Sequence, residues 1–562
     1  MSADPKVVVI GLDGATYDIL LPLAESGHTP HLAKILKKGS WGRLESTIPP
    51  FTTAAWSTFA TGQNPGQHGV LSFRERDRFN YDLKGSGFVD ASRFKHTLWE
   101  ELSANGKKVA VINVPLSYPP RPVNGFMITG MLTPPGANNF TYPDSLKHEL
   151  DDDYMVDVEF IRQGTEFRRE GFPPKTEMLP EIRKMSNIRA QTSIRLMSEK
   201  PWDFFMVVFT STDRVSHFFW DDLENLVSGK EGRADSIQSG LISYFAELDT
   251  AIGKLIETAG ESAHILLMSD HGFGRSPSKR AYVNIWLEQS GLLHKRGSEG
   301  LMDFESWRIR VGRHRRLKAL LRRFISEKTQ SAVTSASASV SSDIIDWRKT
   351  KAYWVPIYFQ VCGIELNVAG ERREGSVSSG EEYEQVRDRI IAASKYLIDP
   401  DTGEHMVDEV YRREDLYDGP YVEGFPDVIL VLKPEYIGAG SLAGSLLAEP
   451  APAARPGEHR KDGIFAAFGP TIAGMGELPG LRLVDLPATV LYMMDLPIPA
   501  TYDGRVLTEL FGKRHLMDHP VRTVDDSVNA NSDAKTADTD SHFTAEEEVL
   551  LEKRLRGLGY LE

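Results

Sequence analysis

Cysteine is almost absent: Cys362 is the only one in 562 residues. A lone cysteine excludes an intrachain disulfide and a cysteine-rich zinc module, and its expected role is that of a small buried apolar side chain. Also missing is any run of about 18 apolar residues of the kind that spans a bilayer. The opening MSADPKVVVIGLDG has no basic stretch followed by a long apolar one and runs directly into a strand. A secretory leader is therefore not expected, and a cytoplasmic location is. Positive charge is not in excess either. The formal net charge of −14 argues against non-specific nucleic-acid binding, which needs a basic face to displace counterions. No internal repeat is present.

What is there reads as an ordinary globular chain, with 41% hydrophobic and 26% charged residues. The length allows one large α/β domain with insertions, or several smaller domains. Short apolar runs at Val7–Leu12, Val109–Val114, Phe204–Phe209 and Ile265–Met268 lack in/out alternation, as strands covered on both faces do. Helix-like stretches lie between them. The expected fold is α/β, a central, mostly parallel sheet with helices on both faces and an inserted cap region. The expected division is a core in two parts, 1–281 and 351–514, around a basic helical insertion at 282–350. A flexible linker at 515–542 and a C-terminal helix at 543–562, docking on the body or on another chain, complete the chain.

Within the insertion, SWRIRVGRHRRLKALLRRFISEK spaces its apolar residues as an amphipathic helix does. It reads first as a cap helix with a solvated basic face. Residues 306–325 also suit capture of an anionic substrate or a peripheral contact with an anionic membrane.

Ligands of open α/β sheets bind at the carboxyl ends of the strands. Asp13 follows VVVIGL, Asp213 follows FFMVVF, and Asp270-His271 follows ILLMS, so three strands deliver acidic or imidazole groups to one sheet edge. Asp213 and His217, four apart, share a face if the segment is helical. His459 lies in the Gly/Pro-flanked RPGEHRKDGIF. Together these are three carboxylates and three imidazoles. Such a set suits zinc or manganese, and two ions about 4 Å apart can clamp an in-line phosphoryl displacement.

The ordered series IGLDGATYD, IPPFTTAAWSTFATGQNPGQHGV, FTSTDRVSHFFW, SDHGFG and GEHRKDGIFAAFGP resembles the motifs of the type I phosphodiesterase and nucleotide pyrophosphatase family. That family belongs to the alkaline-phosphatase superfamily, and the similarity is greatest to its cytoplasmic prokaryotic phosphohydrolase/phosphomutase-like members. It extends through GFPDVILVL and DLPATVLYMMDLPIPATYDGRVL, over most of residues 5–512. The resemblance implies an alkaline-phosphatase-like fold and hydrolysis of phosphate mono- or diesters through a covalent phosphothreonine. It implies that Asp213, His217 and His459 hold one divalent ion, and that Asp13, Asp270, His271 and the nucleophile hydroxyl hold another. In the family the nucleophile lies nine residues before the threonine of a TG pair; with Thr61-Gly62 here, the count lands on Thr52, with Thr53 as second choice. The expected cofactors are two divalent ions, zinc first and manganese second, and the expected partner is a small anionic phosphorylated substrate.

The chain departs from the family pattern where related nucleotide pyrophosphatases carry an asparagine three residues after the nucleophile: Ala55 stands there, followed by Trp56. Arg74 and the 282–350 insertion are candidates for the missing contact to phosphate. His68 reads as structural, and His28 and His31 as framing a helix start. A sulfatase reading fails for want of a Cys/Ser-x-Pro-x-Arg sequence. Intramolecular phosphotransfer, as in a phosphomutase, is the alternative enzyme reading, and a non-catalytic binding or scaffold protein is the third.

Overall fold

The computed structural model describes residues 5–76, 78–81, 86–160, 172–228, 236–296, 344–442, 444–449, 455–525 and 543–561. The basic segment at 306–325, with its Ser/Ala-rich connector, lies outside the described residues, as does 526–542 of the expected linker. The chain packs into two compact units. One comprises Met1–Phe73, Gly87–Ser276 and Ala453–Glu562, the other Arg74–Ser86 and Pro277–Pro452.

The first unit is built on strands β1 (Lys6–Leu12), β2 (Ser40–Glu45), β3 (Val109–Val114), β4 (Gly125–Thr129), β5 (Phe204–Phe209), β6 (Ala263–Met268), β7 (Gly272–Arg275), β8 (Gly457–Arg460) and β9 (Asp462–Phe468). Its principal helices are α1 (Tyr17–Glu25), α2 (Thr52–Thr61), α3 (Lys175–Glu199), α4 (Ser211–Val227), α5 (Ser236–Ala259), α6 (Asp485–Met493) and α7 (Ala545–Gly557). A ten-stranded sheet among the described residues runs β2-β9-β6-β1-β5-β3-β4, with two-residue strands at its edges. From β6 to β4 the pairing is parallel, and β9 is antiparallel to both β6 and β2.

The all-apolar runs explain this architecture. In a strand, successive side chains face opposite ways. Val8, Ile10 and Leu12 enter one core with α1, α3, α4 and α5, while Val7 and Val9 enter another with α2 and α6. Both faces of the sheet are thus covered, as a parallel sheet requires. Gly11 permits one close approach: a Cβ there would meet Trp56 of α2 at 2.7 Å. Because β1, β5 and β6 are parallel neighbours, their carboxyl ends open on one edge.

The second unit has its own four-stranded antiparallel sheet, in the order Ala352–Tyr358, Val361–Leu366, Val428–Leu432, Val407–Arg412. Val355, Ile364, Leu430 and Cys362 are buried in its separate core. Residues 351–452 therefore do not continue the first core, contrary to the expected 351–514 segment, because these strands bury their apolar side chains in a separate cluster with Trp286, Leu287, Val386 and Ile390. Cys362 is the buried apolar residue anticipated.

The expected linker also starts too early. Lys513–Asp518 is helical, and Thr523–Val524 pairs in parallel with Ile498–Pro499. That pairing satisfies backbone groups that would otherwise need water: Ile498 N–H donates to Arg522 O at 2.8 Å and Ala500 N–H to Val524 O at 2.9 Å. Near the C-terminus, Ala545–Gly557 is helical. Thr544 and Glu547 make a capping box at its start, and Leu551 and Leu555, one turn apart, are buried. Among the described residues no helix is long and apolar enough to cross a membrane.

Candidate metal centre

All seven side chains singled out in the sequence lie in the first unit, none more than 1% exposed. Asp13 leaves the end of β1, Asp270 and His271 follow β6, and Asp213 and His217 lie one turn apart on α4, which starts just after β5. His459 is on β8, paired in register with Phe273 of β7. Thr52 is the first residue of α2, a helix buried along its whole length.

They form two adjoining groups. In the first, Asp213 Oδ1 lies 3.2 Å from His459 Nε2 and 3.5 Å from His217 Nε2, and the two Nε2 atoms are 3.0 Å apart. In the second, His271 Nε2 lies 3.2 Å from Asp270 Oδ2, 3.7 Å from Asp13 Oδ1 and 3.3 Å from Thr52 Oγ1. Asp213, His271 and His459 also offer ligand atoms within 4.8 Å of one another, so the groups are contiguous.

Hydrogen bonding fixes what each group presents. His217 Nδ1 faces Gly457 O at 3.0 Å, His459 Nδ1 faces Pro50 O at 3.1 Å, and His271 Nδ1 faces Gly272 O at 3.1 Å. A carbonyl only accepts, so each Nδ1 carries the hydrogen and each neutral ring turns an Nε2 lone pair inward. The carboxylates follow the same division of labour. Asp13 Oδ2 accepts from Trp56 Nε1 at 3.1 Å, Asp270 Oδ1 accepts from Gly14 N–H at 3.0 Å, and Asp213 Oδ2 accepts from Arg214 and from the Tyr560 hydroxyl. The other oxygens, Asp13 Oδ1, Asp270 Oδ2 and Asp213 Oδ1, are buried with no hydrogen-bond donor.

Such orphaned acceptors are costly unless a cation meets them. Burial, then the neighbouring Asp270 and Asp213, raises Asp13 well above the usual carboxylate range, and burial likewise raises Asp270. Burial drives His217 and His271 well below the usual imidazole range, aided by Arg455 for the former and His459 for the latter. Burial also opposes ionisation of Asp213, but His217 and Arg214 outweigh it and hold that carboxyl well below its usual range. Three carboxylate oxygens facing three imidazole lone pairs is an arrangement that a divalent ion satisfies. The residues fit the implied ions.

Beyond the expected residues, the structure adds several. Glu458 joins His217 and His459 in a ligand-range group. Its place beside His459 on a strand, where neighbours face opposite ways, hides it from a sequence reading. Arg214 is buried and paired with Asp157 through Nη2 at 2.6 Å and Nε at 3.2 Å. Arg455 reaches His217 Nε2 at 3.4 Å and Glu458 Oε2 at 3.3 Å. His68 stands apart, bonding the Thr58 hydroxyl at 3.1 Å and accepting from Val70 N–H at 3.2 Å, the structural role expected of it. His31 and Leu32 donate their amides to Asp249 at a helix start.

Residues 7–447 match the model of the type I phosphodiesterase / nucleotide pyrophosphatase family. Among solved structures, phosphonoacetate hydrolase from Sinorhizobium meliloti 1021, in complex with phosphonoformate, is similar with a TM-score of 0.50 and 15% identity, over 87% of this chain and 95% of that one. Murine ectonucleotide pyrophosphatase/phosphodiesterase 5, in complex with AMP, is similar with a TM-score of 0.45 and 12% identity, over 91% of this chain and 100% of that one. No curated protein matches in sequence.

Proposed function

Since the chain belongs to the type I phosphodiesterase / nucleotide pyrophosphatase family and is a phosphohydrolase, we propose that it cleaves small phosphate mono- or diesters with Thr52 as nucleophile beside two divalent ions. The observation that carries this reading is the set of bare, buried carboxylate oxygens opposite Nε2 lone pairs, with Thr52 Oγ1 only 3.3 Å from His271 Nε2. Asp13, Asp270, His271 and Thr52 would hold one ion, and Asp213, His217 and His459 the other. Imidazole with carboxylate favours zinc, with manganese next. When bound, such ions supply positive charge that lowers the hydroxyl pKa of Thr52 and offsets the charge on the phosphoryl oxygens.

The chain's own groups do the rest. Thr52 Oγ attacks phosphorus, the ester oxygen leaves with its electron pair, and a phosphothreonine remains. Water then cleaves the P–Oγ bond, a proton returning to Thr52 Oγ in place of the one that left with the first alcohol, and the product is phosphate from a monoester or a phosphate monoester from a diester. The start of α2 turns backbone N–H groups toward the phosphoryl oxygens. Ala55 stands where nucleotide-cleaving relatives carry an asparagine, so that contact to phosphate is not reproduced at this point of the helix, and Trp56 beside it donates to Asp13 rather than to substrate.

The test is a panel with p-nitrophenyl phosphate and its bis ester, run with Zn²⁺ and with Mn²⁺ on wild type and Thr52→Ala. Thr52→Ala should keep its metal and lose turnover by on the order of 10³-fold or more. Equal turnover in the two proteins would remove Thr52 from the mechanism.

A further inference from the structure

The last residues of the chain reach the metal centre. Helix α7 buries Leu551 and Leu555 on the first unit, and Arg554 Nη1 donates to Thr133 O at 2.5 Å. The helix then ends in a glycine turn. Gly559 has φ +77°, Gly559 N–H returns to Arg556 O at 3.0 Å, and Tyr560 N–H returns to Leu555 O at 2.8 Å. A side chain at residue 559 would be strained at that φ and would meet Arg455 Cδ at 2.7 Å. The turn delivers Tyr560 to the ligands. Its ring lies edge-on to His217, with centroids 5.4 Å apart, and Arg455 and Arg214 sit over it at 5.4 and 5.3 Å.

Its hydroxyl is placed by two groups. Arg214 Nη1 donates to it at 2.6 Å, and it donates to Asp213 Oδ2 at 2.6 Å, while Arg214, anchored by Asp157, also holds Asp213 directly. Asp213 has no other hydroxyl donor among the described residues, and its Oδ1 is the bare oxygen facing His217 and His459. We propose that Tyr560 is a positioning residue: its hydroxyl pins Oδ2 of Asp213 so that Oδ1 points at the ion of the Asp213–His217–His459 group, which makes the C-terminal turn part of the metal site.

This rests on the two-ion reading above, and its test separates the two. Trp56 does for Asp13 what Tyr560 does for Asp213, so the two donors serve different ions. Wild type, Tyr560→Phe and Trp56→Phe, each full length, are titrated with Zn²⁺ against a chromophoric chelator, and kcat and KM are measured on the bis ester. Tyr560→Phe keeps the ring and its packing and removes one hydroxyl. Losing an outer-sphere partner of a ligand typically costs about 10- to 100-fold in metal affinity. The expected result is a loss of that size in one of two binding classes for Tyr560→Phe, the other class for Trp56→Phe, and unchanged melting of metal-free Tyr560→Phe. The loss in kcat should follow the weakened class and disappear at saturating Zn²⁺. If Tyr560→Phe binds both ions as wild type does, Tyr560 is packing alone and the positioning role is overturned. If it weakens both classes equally, the effect is general and the role is likewise overturned. Wild type that takes up no Zn²⁺ or Mn²⁺ sinks the two-ion reading itself.

Discussion

The imidazoles of His271 and His459 stack, with ring centroids 3.6 Å apart and planes inclined by 19°. Each ring belongs to a different ligand group, and the stack is the wall the groups share. It is set by the β7–β8 pairing, which brings the strand carrying His459 alongside the chain that leaves His271.

Removing one ring should therefore be felt on one ion first. His459→Ala takes an Nε2 from the Asp213–His217 group and leaves the Asp270–His271 group its own. After dialysis, metal analysis should give one ion per chain where wild type gives two. Turnover should fall by more than the roughly 100-fold typical of losing an outer partner. Two retained ions would contradict the grouping.

Trp56 is fully buried and its indole N–H is the donor to Asp13 Oδ2. In Trp56→Phe that oxygen loses its partner, at a cost of about 1–3 kcal/mol for an unsatisfied buried acceptor, added to the volume lost. Urea unfolding of the metal-free protein checks it. A change under about 0.5 kcal/mol would mean the bond is not made.

Arg214 stands between Asp157 and Asp213, all three at most 4% exposed. Arg214→Met should destabilise the metal-free protein by about 3–5 kcal/mol, because two buried carboxylates lose their counter-charge. Arg214→Met combined with Asp157→Asn should recover part of that loss. No recovery would show that Asp157 is not the partner whose burial depends on Arg214.

The fold and most of the candidate site were legible for one reason: parallel strands buried on both faces announce themselves as unbroken apolar runs, and the candidate ligands follow their carboxyl ends. Asp13, Asp213 and Asp270-His271 are found that way. His459 was reached only through its motif, since β8 is a short antiparallel strand with no such run. Trp56, Arg214 and Tyr560 were not legible in any role toward the ligands. Their effect depends on tertiary contacts, and Tyr560 meets Asp213 across 347 residues. The second unit was missed as a separate core because its strands fall in the chain between segments of the first.

His68 gives a pH prediction away from the candidate metal centre. Burial, with Arg93, pushes its imidazole down to about 3, against about 6.5 in an unfolded chain. The folded protein refuses a proton that the unfolded chain accepts, so this contribution to stability is complete above about pH 6.5 and is lost as pH falls toward 3. His68→Asn removes the titration. Urea-derived stability should then fall less steeply with acid between pH 4 and 6 than in wild type, by up to one proton. Parallel slopes would refute it.

Strand β1 sits in the middle of the sheet, with Val7 in register with Phe204 on one side and His264 on the other. It leaves the ribosome before either of those neighbours. At synthesis rates of about 5–20 residues per second, its neighbours emerge on the order of 10–50 s later. For that interval a nascent chain displays VVVIGL with both backbone edges unpaired, the kind of segment that aggregates or recruits a chaperone. Asp13, of the candidate metal centre, waits at the end of that strand until β5 and β6 have been made.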